Sequence, residues 1–519
     1  MKYLNLSAAG FLAAFVPLLT FGQTPSAVVQ SDGTVRYTAG DSLTVPLDLG
    51  RKLDNYRSVQ DFGAVGDGIT DDTQAIQRAM DACAKRGVPL YLQAGRTYMT
   101  RRLDPGAGLY FDLNGSTLKL KNGTNTPVFY GNFYPTISQN VTIRNGTIDG
   151  NMSNNHDPSS EPGGIWLTAW KNVTIKDINF INCYREAINF YSVDKARVEN
   201  CHAWNCGMSI VNSVYTYLGG FTDCSDVRVQ DVSMTDSFGF GLHFNRCTNY
   251  FADGVRLVNL THPESIAITV TEGNGGLIRN VRTKITHTNS CEINAAENLT
   301  LSDLFLEQPG VYGITFGDNG TGKVSRNVRI ENAVVTGTTG VRSVSLNYID
   351  QLTIRNSTFD KGINVSGGLP GSDVVFENTV FQCDAEGFYF QNPRFAYFNV
   401  KWNNIKAVRH SSTEGAYVSA IPIRIASGDS IAVPTNLIPR NDRSMAGIFA
   451  TVSNMEGNFA QITYQQRPFV LEGGIRLGTE TRVDGAVARP LVYYPEIATN
   501  KIWLKNTTEK AVTVRWEIK

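Results

Sequence analysis

His243, Tyr191 and Glu292 draw attention by where they fall in short β-prone runs. AINFY holds Asn189 and Tyr191, GLHFN holds His243 and Asn245, and CEINA holds Glu292 and Asn294. In each run the intervening residues are apolar. Successive side chains of a strand point to opposite faces, so the apolar set points in and these six point out. The same parity in GIWLTAW turns Ile165 and Leu167 in, and Trp166, Thr168 and Trp170 out. In AITVTE it turns Thr269 and Thr271 out, with Glu272 at the edge. In GITFGDN it turns Thr315 out, and Asp318 starts a loop. Tyr215 and Tyr217 border the same face, in a run whose register is ambiguous.

Aromatic rings offer flat apolar surfaces to sugar rings, and amides and carboxylates bond hydroxyl groups. An ordinary solvated face would carry more Lys, Glu and Thr and fewer Trp. The expected partner is therefore a polysaccharide or oligosaccharide. Three functions stay open. A β-eliminating lyase must neutralise a uronate carboxyl, take the proton beside it and protonate the leaving oxygen. Asn or Arg suits the first task, and His or Tyr the others. Tyr191 and His243, flanked by Asn189 and Asn245, meet that need; a lone His on such a face also serves as a hydrogen-bonded structural residue. A hydrolase needs two carboxyl groups, which Glu292 with Glu272 or Asp318 would supply. Asp149, Asp157 and Glu161 are further candidates. The third function is a non-catalytic, adhesin-like glycan binder. The lyase is placed first.

A repeating phrase must position these residues. An apolar residue, a spacer, an Asn or Asp and a second β-prone run recur ten times, as in VTIRNGTI, VRIENAVV and LTIRNSTF. The polar positions are Asn145, Asp177, Asn200, Asp231, Asp253, Asn280, Asp303, Asn332, Asn356 and Asn378. Repeats of this length mark a solenoid. Val, Ile, Thr and Phe alternate with polar residues, so the units are β-type. Asn and Asp tolerate left-handed backbone and suit a sharp turn. Rungs stack about 4.8 Å apart, which places Tyr191 and His243 two rungs, or about 9.6 Å, from each other. Long insertions after Asn145, Asn200 and Asp303 supply loops that flank the face.

The chain has 519 residues, long for one compact domain and ordinary for a solenoid. Charged residues make up 18%, with 47 basic and 47 acidic side chains. Such a balance advertises neither nucleic acid nor a membrane surface. Residues 1–22 read as a signal peptide, with Lys2, an apolar core from Ala8 to Leu19 and a small-residue exit. Nothing later reads as a transmembrane helix, so a secreted or periplasmic protein is expected. Eight cysteines suit an oxidising compartment. Cys183 with Cys206, and Cys224 with Cys247, fall on equivalent positions of adjacent rungs. They are expected as reduced thiols stacked in the core, with disulfide pairing as the alternative. No ligand-spaced Cys/His cluster occurs, so no metal or cofactor is expected.

Residues 23–57 read as a leader. Ser58 to Gly87 then reads SVQDFGAVGDGITDDTQAIQRAMDACAKRG. Asp71 with Gln74 forms a capping-box pattern. Ile76, Ala79, Met80 and Cys83 form one apolar stripe, and Gly87 is a C-terminal stop. A helix from Asp72 to Arg86 would cover the open end of the solenoid. Asp67, Asp71 and Asp72 are read as turn and cap residues. This segment and the following VPLYLQAGRTYMT resemble the N-terminal signature of the pectate-lyase-like superfamily. That resemblance implies an all-β fold: a right-handed parallel β-helix over 58–405 with an N-terminal capping helix. It also implies a substrate groove on a strand face flanked by loops, and admits a calcium ion bridging uronate and carboxylates. NGTIDGN resembles the polygalacturonase group, but that group's NTD, DD and GHG pattern is absent at suitable places, and so is the DPHE cluster of uronan epimerases. Residues 411–519 change texture and read as a C-terminal β-sandwich-like module. It can cap the far end, bind sugar or form a homotrimer.

Overall fold

The computed structural model describes residues 57–381, except 133–135, 158–159, 161, 208–216, 319 and 366–372; outside that span only strand backbones are described. The signal-peptide reading falls outside the described residues, as do Tyr215 and Glu161. Among the described residues no helix is long and apolar enough to cross a membrane.

One sheet of 28 strands runs through the molecule, and its strands pair in parallel. Ile188–Glu199 pairs with Tyr217–Thr222, which pairs with Phe240–Asn245, then Ile268–Thr271, Asn289–Asn294 and Tyr312–Gly317. Each strand lies on its counterpart one coil later, which makes the chain a parallel β-helix. Toward the C-terminus the pairing changes sense: Gly447–Ser453 pairs antiparallel with Phe459–Gln465 and Val512–Ile518, and Ser430–Val433 with Lys501–Asn506.

The inward residues stack by type. Phe190, Phe221 and Phe244 succeed one another with ring centroids 5.7 and 5.3 Å apart, and Tyr250 lies 4.9 Å from Phe244. Burying each such ring stabilises the fold by roughly 1.5–3 kcal/mol. Among the described residues seven cysteines are free and buried. Cys183 and Cys206, and Cys224 and Cys247, sit on adjacent rungs, and their thiols donate to main-chain carbonyls, as Cys224 does to Thr222 at 3.2 Å and Cys247 to Phe221 at 3.1 Å.

The Asn/Asp positions form the turns. Nine of the ten have φ between 48° and 60°. Asparagine side chains link the rungs: Asn200 to Asp177 at 2.9 Å and Asn332 to Asp303 at 2.9 Å. Asp253 is the exception. Val232 pairs with Val255, so Gly254, at φ 69°, holds the turn in that rung. A Cβ at Gly254 would approach the Asp231 carboxylate to 2.5 Å, so glycine displaced the ladder by one residue.

The helix Thr73–Arg86 buries Ile76, Ala79, Met80 and Cys83 and ends at Gly87, φ 66°. Its start differs from the expected capping box. Asp72 is the N-cap residue, without a side-chain cap bond. Its buried carboxylate instead accepts from the Val65 and Gly66 amides at 2.7 and 3.0 Å. Asp71 accepts from the Thr73 amide at 3.2 Å and pairs with Lys121 at 2.9 Å. Asp67 closes a turn by accepting from the Ile69 and Thr70 amides. These three aspartates are spent on the end of the solenoid.

Candidate active site on the outer strand face

The strands that precede each rung's first corner form the candidate face. Register aligns Trp166, Asn189, Gly220, His243, Thr269, Glu292 and Thr315 in one outward column. A second column holds Thr168, Tyr191, Thr222, Asn245, Thr271 and Asn294. Tyr191 and His243 thus share the face two rungs apart, as the strand parity predicts. Tyr191 is exposed, whereas Thr269, Thr271 and Asn294 are nearly covered and form its floor. Tyr217 opens its strand in register with Phe240; its side chain lies outside the described residues.

Trp170 corrects the parity argument. It is buried, 1% exposed, and its Nε1 donates to the Gly131 carbonyl at 3.1 Å. The cause is Ala169, at φ 59°. A left-handed residue interrupts the alternation, so the next side chain turns inward. Ser192, Asp223, Arg246, Glu272 and Ala295 take the same backbone in successive rungs, and the residues after them include Val193, Cys224, Cys247 and Ala296, all buried. Trp166 stays on the face, its ring 6.1 Å from that of Tyr130 and its Nε1 donating to Thr168 Oγ1 at 3.2 Å.

The corner turns also place residues that strand parity does not reach. Arg246 joins Asp223 of the adjacent rung through two bonds, 2.6 and 2.9 Å. That pairing, with a hydrogen bond from Tyr191, holds the Asp223 carboxyl below its usual range despite partial burial. Glu272, one rung on, accepts from Lys323, which arrives from the loop after Tyr312–Gly317. One wall of the face is therefore a row of charges: Asp223, Arg246, Glu272, Lys323. The sequence signal at this corner is the residue type of Asp223, an Asp suited to left-handed backbone in a run that otherwise reads as strand.

His243 lies between this wall and the floor. Burial, and then the Arg246 charge, lower its pKa to about 4, so the imidazole is neutral near pH 7. Glu292 is held by two amides: Asn294 donates to Oε1 at 2.9 Å and Asn289 to Oε2 at 3.0 Å. Asp318 accepts from the Gly320 and Gly322 amides at 3.1 and 2.9 Å and shapes its own loop. Asp149 is buried, accepts from Asn182 and the Asn151 amide, and faces Lys119. Asp157 accepts from Ser160 Oγ in its loop at 3.1 Å. Among the described residues no three His, Cys, Asp or Glu side chains gather as a metal site.

Residues 56–103, which carry the capping helix and first strands, match the family described as Rhamnogalacturonase A/epimerase, pectate lyase-like. The chain is a parallel β-helix protein with a pectate-lyase-like N-terminal segment. Other similarities fit this pectate-lyase-like fold. The mannuronan C5-epimerase AlgE4 of Azotobacter vinelandii is 33% identical over 110 residues, 19% of this chain and 20% of that protein. The plasmin and fibronectin-binding protein A of Streptococcus pneumoniae is 30% identical over 171 residues, 28% of this chain and 24% of that protein. The matched stretches thus span a quarter or less of these two relatives. A tailspike protein mutant of E. coli bacteriophage HK620, solved with a hexasaccharide, aligns with TM-score 0.56 and 11% identity over 98% of this chain and 99% of that chain.

Proposed function

We propose that the chain is exported, binds a uronate-containing polysaccharide along the His243 face and cleaves it by β-elimination. The observation that carries this reading is an imidazole beside a guanidinium on one rung, two rungs from a tyrosine. Arg246 meets the uronate carboxylate and makes the neighbouring C–H more acidic. His243, kept neutral by burial, takes that proton. The C–O bond to the leaving sugar breaks as the double bond forms, and the Tyr191 hydroxyl gives its proton to the leaving oxygen. One relative's name, mannuronan C5-epimerase, puts proton chemistry at the same carbon of a uronan.

The carboxylates support this order of readings. A hydrolase needs one carboxyl protonated and a second ionised. Asp318 is taken by its loop amides, Glu272 by Lys323, and Glu292 by the side-chain amides of Asn289 and Asn294.

The test incubates the purified protein with acidic and neutral polysaccharides and follows new reducing ends together with unsaturated-uronate absorbance. Both signals are expected on an acidic polymer. His243→Ala and Tyr191→Phe should abolish them, and Glu292→Gln should be mild. Reducing ends without absorbance, lost only in Glu292→Gln, would replace the lyase with a hydrolase. Neither signal across the panel would leave glycan binding as the function.

A further inference from the structure

The strands that follow the Asn/Asp turns form a second face of the solenoid, separate from the His243 face. Register stacks Ile181, Trp204, Thr235, Val258 and Lys284 in one outward column. The column beside it runs His202, Ser233, Arg256, Arg282 and Phe305.

Two features of this face are costly for the chain alone. Trp204 is 51% exposed. Among the described residues its ring has neither a hydrogen bond nor a ring or cation contact, and aliphatic Ile181 lies in register beneath it. Arg256 and Arg282 are in register on adjacent rungs, both exposed. Like charges set directly opposite across strands are destabilising. Arg282 is 4.0 Å from Glu307, but Lys284 holds that carboxylate more closely, at 3.0 Å. Arg282 instead lies over the Phe305 ring, 5.1 Å from its centroid. Arg256 has no ion pair among the described residues. Elsewhere the solenoid pairs such charges across rungs, as in Lys176 with Glu199 and Arg355 with Glu331. His202 is fixed beside the tryptophan by Ser233 Oγ at 2.8 Å and Asn200 Oδ1 at 3.1 Å.

We propose that this face is a second glycan-binding site, for an acidic polysaccharide. The Trp204 ring carries a sugar ring, and Arg256 and Arg282, two and three rungs along, take its anionic groups. The distance from Trp204 to the Arg256 rung is about 9.6 Å, a span for a short oligosaccharide. The anion relieves the repulsion between the guanidiniums, and the sugar covers the open indole. The site is independent of the chemistry at His243. It would hold the polymer while the other face works on it, or hold it without cleavage.

The experiment is affinity electrophoresis of the full chain through gels containing polygalacturonate, alginate or a neutral glucan, with His243→Ala as the background to prevent cleavage. Retardation is expected on at least one acidic polymer and not on the glucan. Trp204→Ala and the double variant Arg256→Ser/Arg282→Ser should each weaken it about ten-fold. These side chains are exposed and the arginines repel each other, so the thermal midpoint should not fall, and cleavage of short oligosaccharides in the unblocked protein should stay unchanged. Three results would overturn the proposal: no retardation on either acidic polymer, unchanged retardation in both variants, or retardation by the glucan that Trp204→Ala alone removes.

Discussion

Arg246 reaches across one rung to bind Asp223 through both arms of its guanidinium, Nε to Oδ1 at 2.6 Å and Nη2 to Oδ2 at 2.9 Å. The pair is half exposed, so it adds at most about 1 kcal/mol to stability. Its position beside His243 matters more. Arg246→Ala is expected to raise KM on the acidic polymer at least about ten-fold, with a thermal midpoint within about 2 °C of the parent. Arg246→Lys should recover part of the loss, because a point charge replaces a planar fork. Steady-state absorbance kinetics decide it. An unchanged KM in Arg246→Ala would remove Arg246 from the site.

His243 makes a pH prediction with a definite sign. Its folded pKa, about 4, lies below the unfolded value of 6.5. Protonation therefore favours the unfolded chain. Stability from keeping His243 neutral is fully present above pH 6.5 and is lost as pH falls toward 4. The loss is at most about 3 kcal/mol. Urea midpoints at pH 7, 5.5 and 4.5 should fall more steeply for the parent than for His243→Gln. Parallel slopes would show that His243 titrates normally. Activity should follow the same group, its acid limb lying near pH 4 to 5.

Trp166 and Trp170 lie four residues apart and should behave as different kinds of residue. Trp170 fills the core and bonds Gly131. Trp170→Ala is expected to cost about 3–5 kcal/mol. Trp166→Ala should cost little stability and should raise KM several-fold. Thermal melts and kinetics on the two variants separate the roles. The reverse pattern would put the substrate on the wrong side of this strand.

That contrast shows where sequence reading succeeds and stops. Alternation placed Asn189, Tyr191, His243, Asn245, Glu292 and Asn294 on one face, because strand geometry has a fixed period of two. It failed at Trp170 because one left-handed residue, Ala169, resets the period, and alanine carries no sequence signal for that backbone. The ladder was legible because Asn and Asp are chemically suited to the turn. It slipped at Asp253 because the neighbouring Gly254 suits the turn better. Arg246 and Asp223 escaped for a related reason: they sit on the corner, where period-two reasoning assigns no side. Asp71 and Asp72 are adjacent and both can cap a helix. Only the fold brings the Val65 and Gly66 amides to Asp72 and Lys121 to Asp71.

The ladder itself gives the last prediction. Asn332 sits at φ 56° and donates to Asp303 at 2.9 Å on the preceding rung. It contributes in two separable ways. The hydrogen bond to a carboxylate is worth roughly 1 kcal/mol net at an exposed position. Tolerance of left-handed backbone is worth a further 1–2 kcal/mol or so relative to a residue with an ordinary Cβ. Asn332→Gly loses only the bond, while Asn332→Ala loses both. Asn332→Asp keeps the turn but sets two carboxylates against each other, and added salt should partly restore it. The expected order of urea midpoints is Asn, then Gly, then Ala, with Ala about 1 kcal/mol below Gly. If Ala proves as stable as Gly, backbone strain does not select the ladder. The recurrence of Asn and Asp would then rest on the inter-rung bonds alone.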